Sequence, residues 1–230
     1  MKERNDGERA TRGLGARGIA LAGVLSAVTM LLGWTQIGFI PVPTPAARAT
    51  ILHIPAILAG ILGGPVVGLL VGAIFGIFSF ILASIPLFKD PLVAIIPRLF
   101  IGVVACYIYR FLSKATRGWL LGSSLAVAAL AGVFAYQVGR STLWLGIVIG
   151  VVALVLPASV IWMALRQQRE NVALAVAAAA GTLTNTCLVL GMGVLRGYLP
   201  NLETAAAIGV THGIPEVVVA VIVVLAIVLP

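Results

Sequence analysis

The feature that most constrains this chain is a series of long apolar runs almost empty of charge, broken only by short polar connections. Residues 65–85 carry no Asp, Glu, Lys, Arg or His, residues 91–112 carry only Arg98 and Arg110 of these, and residues 205–229 only His212 and Glu216. Lys and Arg number 15 and Asp and Glu 7, so charged residues make up 10% of the 230-residue chain, against 61% apolar. A soluble domain averages about 25% charged residues; a tenth cannot coat a surface of this size. Mean hydropathy of +1.15 agrees. At roughly 20 residues per crossing, the chain reads as an all-α polytopic membrane protein of about eight transmembrane helices.

Residues 1–17 hold five basic and three acidic residues and read as a cytoplasmic tail. Residues 18–230 then form one transmembrane domain. The run 18–34 resembles a signal-peptide core, and Ala47-Arg48-Ala49 a cleavage site, but the two are too far apart for the usual layout. An uncleaved first helix is expected. Residues 35–50 contain PVPTP and form a non-helical connection. Residues 51–62 are a short apolar segment, and Gly63-Gly64-Pro65 turns into a third helix over 65–85. PLFKDP (86–91) is a turn, followed by a fourth helix over 91–112. Helices over 119–138 and 142–165 make a hairpin about Gly139-Arg140-Ser141. The last two spans cover about 171–195 and 205–229.

Basic residues fall unevenly on the two sides of this arrangement. Lys2, Arg4, Arg9, Arg12, Arg17, Arg110, Lys114, Arg117, Arg166 and Arg169 collect on one side; Arg48, Lys89, Arg140 and Arg196 collect on the other. The positive-inside rule places both termini in the cytoplasm and the PVPTP, PLFKDP and 197–204 connections outside. Basic residues so placed set orientation and form no nucleic-acid patch. Cys106 and Cys187 each sit in an apolar run without C-x-x-C or metal-ligand spacing, and pack as small residues. No metal or cofactor site is expected.

Ionisable groups inside the hydrocarbon are functional-site candidates by default. Here they are His53, Arg98, His212 and Glu216, joined by Asn185 in GTLTNT. Arg98 lies seven residues past Pro91, roughly 10 Å below the outer end of its helix at 1.5 Å per residue. His53 falls in the first turn of the second span, near the outside. All five map to the outer half, and their convergence points to a polar pocket open to the outside. Each has a plainer role: Arg98 and Glu216 as a buried ion pair, Thr182, Thr184 and Thr186 bonded back to their own helix, His53 as an interfacial anchor. His212 and Glu216 share a helical face only if Pro215 leaves the helix unbroken. Gly68, Gly72 and Gly76 repeat every four residues, a ridge for close helix packing. Ala22, Gly23, Ser26 and Ala27 repeat the theme on the first helix. The chain has no G-x-x-x-x-G-K-[ST], no H-E-x-x-H, no aspartate-rich motif and no G-x-S-x-G, so it is not expected to be an enzyme.

Four blocks, HIPAILAGILGGPVVGLLVGAIFGIFS (53–79), PRLFIGVVACYIYR (97–110), GTLTNTCLVLG (181–191) and GIPE (213–216), resemble the substrate-binding S component of energy-coupling factor (ECF) vitamin importers. The branch they look most like contains pantothenate, folate and hydroxymethylpyrimidine carriers. The resemblance implies a six-helix core and a vitamin site built from outer loops and later helices, with Arg98, Asn185, His212, Glu216 and His53 as substrate-binding candidates. It implies as partners a small water-soluble vitamin, best matched by pantothenate, a membrane coupling subunit and two ATPase subunits. Ala22, Gly23, Ser26 and Ala27 match the position of the family's small-residue motif for the coupling subunit. Against that pattern residues 119–165 are an inserted hairpin, and His212 replaces the asparagine expected before GIPE. Two other classes stay open: a solitary ion-coupled carrier, and an intramembrane enzyme using His212 and Glu216 as acid and base.

Overall fold

The computed structural model describes residues 15–41, 48–139, 155, 158–166 and 168–228. Helix α1 (Ala16–Trp34) leads into an antiparallel ribbon of β1 (Phe39–Pro41) and β2 (Arg48–Thr50), with Phe39 opposite Thr50. Then come α2 (Ile54–Gly63), α3 (Pro65–Ile81), a 3-10 turn (Pro86–Lys89), α4 (Pro91–Leu112) and α5 (Arg117–Gly139). After helical residues 158–165 follow α6 (Arg169–Leu195), α7 (Leu202–Ile208), a π turn (Gly209–Gly213) and α8 (Ile214–Val228). Apart from the short ribbon, the described chain is all-α. By length and composition α1, α4, α6 and the stretch Leu202–Val228 can each cross a bilayer, while α2 and α3 are shorter. The protein is a multi-pass membrane protein. The tail over residues 1–14, the middle of the PVPTP connection, the 139–141 turn beyond Gly139 and most of the helix expected over 142–165 lie outside the described residues.

Helix ends follow from local chemistry. Proline stands in the first turn of α2, α3 and α4, where its missing N–H is not needed. Gly64, at φ +95°, joins α2 to α3 in a conformation that strains any residue bearing a Cβ. Asp90 caps α4, its Oδ1 accepting from Leu92 N at 3.0 Å. Helix α3 ends at Ile81 and not at residue 85, because Pro86 forces Ile85 to be extended (φ −110°, ψ 147°) and the chain leaves the helix before it. The last span is likewise not one regular helix. Pro215 has no N–H for the Thr211 carbonyl, and the π turn Gly209–Gly213 opens just upstream.

The glycine ridge sets how tightly the centre packs. A Cβ placed on Gly68 would lie 2.9 Å from the Cα atoms of both Gly60 and Gly102. One on Gly72 would collide with the Arg98 carbonyl oxygen, and one on Gly60 with that of Gly102. Helices α2, α3 and α4 therefore touch backbone to backbone, which gains dispersion contacts where lipid supplies no hydrophobic drive. Small side chains also line α6: Ala173, Ala175, Ala177 and Ala178 are buried as α6 packs on α4 and α8. Ile57, Val71, Ile101 and Val221 fill the core between these helices, while Val24, Leu31, Trp34, Ile77 and Phe100 point outward.

Helix α2, ten residues and about 15 Å long, spans only half a bilayer. Its Gly64 end lies beside the Arg110 guanidinium at the far end of α4. His53, at the other end of α2, is buried inside the bundle.

Candidate functional site

His53 is fully buried. Its Nε2 lies 3.0 Å from Thr182 Oγ1, and that hydroxyl is 3.0 Å from the Ala178 carbonyl. A threonine hydroxyl has one hydrogen to give; once it goes to Ala178, His53 Nε2 is the donor in the pair. The expected back-bonding of the α6 threonines is present at all three positions, Thr184 reaching Ala180 at 2.7 Å and Thr186 reaching Thr182 at 3.2 Å. Thr182 does both jobs, tying α2 to α6. The interfacial role weighed for His53 does not hold.

Arg98 is 4% exposed. Its Nη1 donates to the Val93 carbonyl at 2.7 Å, and the geometry has a simple cause. Pro97, four residues after Val93, has no N–H to close that turn of the helix, so the arginine side chain folds back and supplies one. The guanidinium carbon lies 5.5 Å from the Phe75 ring centroid and 4.8 Å from that of Phe88, within cation–π range. Nε has no hydrogen-bond partner. The ion pair expected as one alternative is not formed: Glu216 is in electrostatic range, but the one salt bridge among the described residues joins Asp90 and Arg196.

Glu216 is 7% exposed, and its Oε1 accepts from the backbone N of Thr50 at 2.8 Å. This bond fastens the end of the ribbon to α8. Asn185 is buried, its Oδ1 without a partner. The π turn carries His212, buried, with Nδ1 3.1 Å from Thr211 Oγ1. Gly213 lets that turn approach α6, since a Cβ there would be 2.9 Å from Thr186 Cγ2. The wide turn changes the angular spacing of His212 and Glu216, so the regular four-residue relation does not apply.

His53 and Glu216 are buried within electrostatic range of the buried Arg98, with Thr182 bonded to His53; Asn185 on α6 and His212 on the π turn are buried as well. These residues supply a buried cation, a carboxylate and an amide oxygen without a partner. Three contributors escaped sequence reasoning. The Thr50 amide belongs to the backbone and leaves no side-chain signal; Phe75 and Phe88 read as ordinary apolar residues until the fold brings them to Arg98. On α1 the four small residues divide. Gly23 and Ala27 are exposed, Ser26 is buried, and Ala22 packs partly against the core.

An open apolar groove of about 390 Å³ between α4 and α6 is lined by Phe100, Val104, Thr184, Cys187 and Leu188. It includes none of the five site candidates.

No curated protein matches the chain. The family model of the ECF transporter substrate-specific component matches residues 17–145, more than half of the chain, running from α1 through α5 and including the first two of the four sequence blocks. The chain belongs to the ECF transporter substrate-specific component family.

Proposed function

We propose that this substrate-capture subunit takes up pantothenate from outside the cell and works with a membrane coupling subunit and two ATPase subunits, its own termini lying in the cytoplasm. The observation that carries the ligand reading is Arg98. A guanidinium stays protonated when buried, and this one has no carboxylate in ion-pair range among the described residues and an unpartnered Nε. Glu216 acts on it only from beyond contact, and a buried charge with no counterion in contact is costly; a ligand carboxylate would remove that cost and fit the guanidinium fork. Asn185 Oδ1 adds a buried acceptor for a hydroxyl or amide N–H. Pantothenate carries one carboxylate with hydroxyl and amide groups, and is small enough to fit between helices.

The test is pantothenate binding by purified protein, unmodified and as Arg98→Ala, Arg98→Lys and Arg98→Ala/Glu216→Ala, with folded yield measured alongside. Arg98→Ala is expected to lose on the order of 2–5 kcal/mol of binding, and lysine to restore little because it loses the fork. Tight binding by folded Arg98→Ala protein would falsify the carboxylate clamp. Restored binding in the double variant would instead make Arg98 a partner of Glu216. Co-purification of the chain with ATPase subunits tests the importer assembly, and proton-coupled uptake by the chain alone would replace it.

A further inference from the structure

The buried centre has a cover at the end of the bundle where α4 begins. The 3-10 turn Pro86–Lys89 carries Phe88 across the Arg98 guanidinium at 4.8 Å. Leu87 of the same turn packs against α6, with its Cδ1 3.1 Å from a Cβ placed on Gly193. Directly after the turn, Asp90 Oδ2 accepts from Arg196 Nε at 2.7 Å. We propose that Asp90 and Arg196 form a latch, positioning residues that hold the 86–89 turn and its Phe88 over Arg98 and so set how fast ligand enters and leaves. This rests on the reading above in one respect, that the ligand reaches Arg98.

The arrangement of charge favours such a role. Asp90 sits at the N-terminus of α4 and Arg196 at the C-terminus of α6, the ends whose dipoles suit an anion and a cation respectively. Each charge is thus held at its own helix by local forces, and the bond between them adds a link from turn to α6. The Asp90 side chain is 4% exposed and that of Arg196 51%. With Arg196 half exposed, solvent screens the pair from one side, which keeps the contact weak enough to open. Below it, Phe88 meets Arg98 through a ring face, a contact a ligand carboxylate can displace without stranding a hydrogen bond.

The test uses the full chain in lipid nanodiscs, with two readouts: hydrogen exchange of the turn amides without ligand, and the dissociation rate of pantothenate. Asp90→Asn keeps the oxygen that caps Leu92 and removes only the charge; Arg196→Gln removes the other half; Arg196→Lys keeps charge without the Nε geometry. Both neutralising variants are expected to speed exchange at Phe88 and Lys89 and pantothenate dissociation by about fivefold, with Arg196→Lys between them and the unmodified protein. Asn201→Ala, which removes the cap on Thr204 N of α7, is expected to change neither. Unchanged exchange in both neutralising variants, or equal acceleration by Asn201→Ala, overturns the latch. Absence of pantothenate binding by the unmodified protein overturns the ligand reading, while the exchange readout still decides the latch.

Discussion

Arg98 serves its own helix before it serves any ligand. Its bond to the Val93 carbonyl stands in for the N–H that Pro97 lacks, so the two neighbours are energetically coupled. Arg98→Ala leaves that carbonyl buried without a donor, at a cost of about 1–3 kcal/mol. Pro97→Ala returns the N–H. The double variant is therefore expected to be more stable than the sum of the single changes by about 1 kcal/mol, measured by thermal unfolding in detergent; strict additivity would show that the carbonyl has another partner. A second expectation concerns Asp90. The hydrogen bond from Arg196 holds its carboxyl below the ordinary value of 3.8. A group depressed on folding stabilises above its unfolded value and loses that contribution as pH falls through the folded one. The stability gap between unmodified protein and Arg196→Gln should hold from neutral pH down to about 4 and close below it, which a pH series of unfolding midpoints checks. Sequence alone marked Arg98 as a rare intramembrane charge, yet could not reveal that its nearest obligation is to Val93.

Among the elements, those with strong punctuation were legible beforehand. Helix α4 runs over 91–112 as expected, opened by Pro91 and its Asp90 cap. The final span was legible in extent but not in form, because the π turn answers a backbone problem created by Pro215 and solved only against α6. The glycine ridge was legible as a packing device, and its partners were not. Gly72 faces the Arg98 carbonyl so closely that any Cβ must push α3 from α4. Gly72→Ala is expected to destabilise by about 1–3 kcal/mol, the usual range for overpacking, and to weaken ligand binding by moving the Arg98 segment. Gly191→Ala is the control, since nothing lies within 4 Å of a Cβ placed there; it should be neutral or stabilise by up to about 1 kcal/mol. Equal losses at both positions, read from unfolding midpoints, would rule out backbone contact as the cause.

For the whole molecule, the question is which surface meets the proposed coupling subunit. Helix α1 is the least buried of the four candidate spans among the described residues, and Gly23 and Ala27 lie on its open side while Ser26 and Thr29 face inward. Ala27→Trp is therefore expected to block assembly, since small-residue interfaces work by close backbone approach, with ligand binding by the isolated subunit intact. Ser26→Trp, facing inward, is expected to lower folded yield instead. Assembly and binding assays on both variants separate the two faces, and unimpaired assembly of Ala27→Trp would move the interface elsewhere. The inserted hairpin proposed over 119–165 is expected to be peripheral; deleting it should lower stability and spare affinity in protein that still folds. What the sequence by itself determined was the solvent: apolar runs nearly free of charge admit only backbone-satisfied helices in lipid, and prolines and glycines mark where those helices begin and end. It also identified the few polar residues that are costly to bury in lipid. Only the tertiary structure decided which of those residues meet. His53 reaches Thr182, Glu216 takes the Thr50 amide, and Arg98 lies between two rings and a carbonyl in a bundle whose glycine faces bring distant helices into backbone contact. Such meetings depend on fit between segments far apart in the chain, and periodicity carries no record of them.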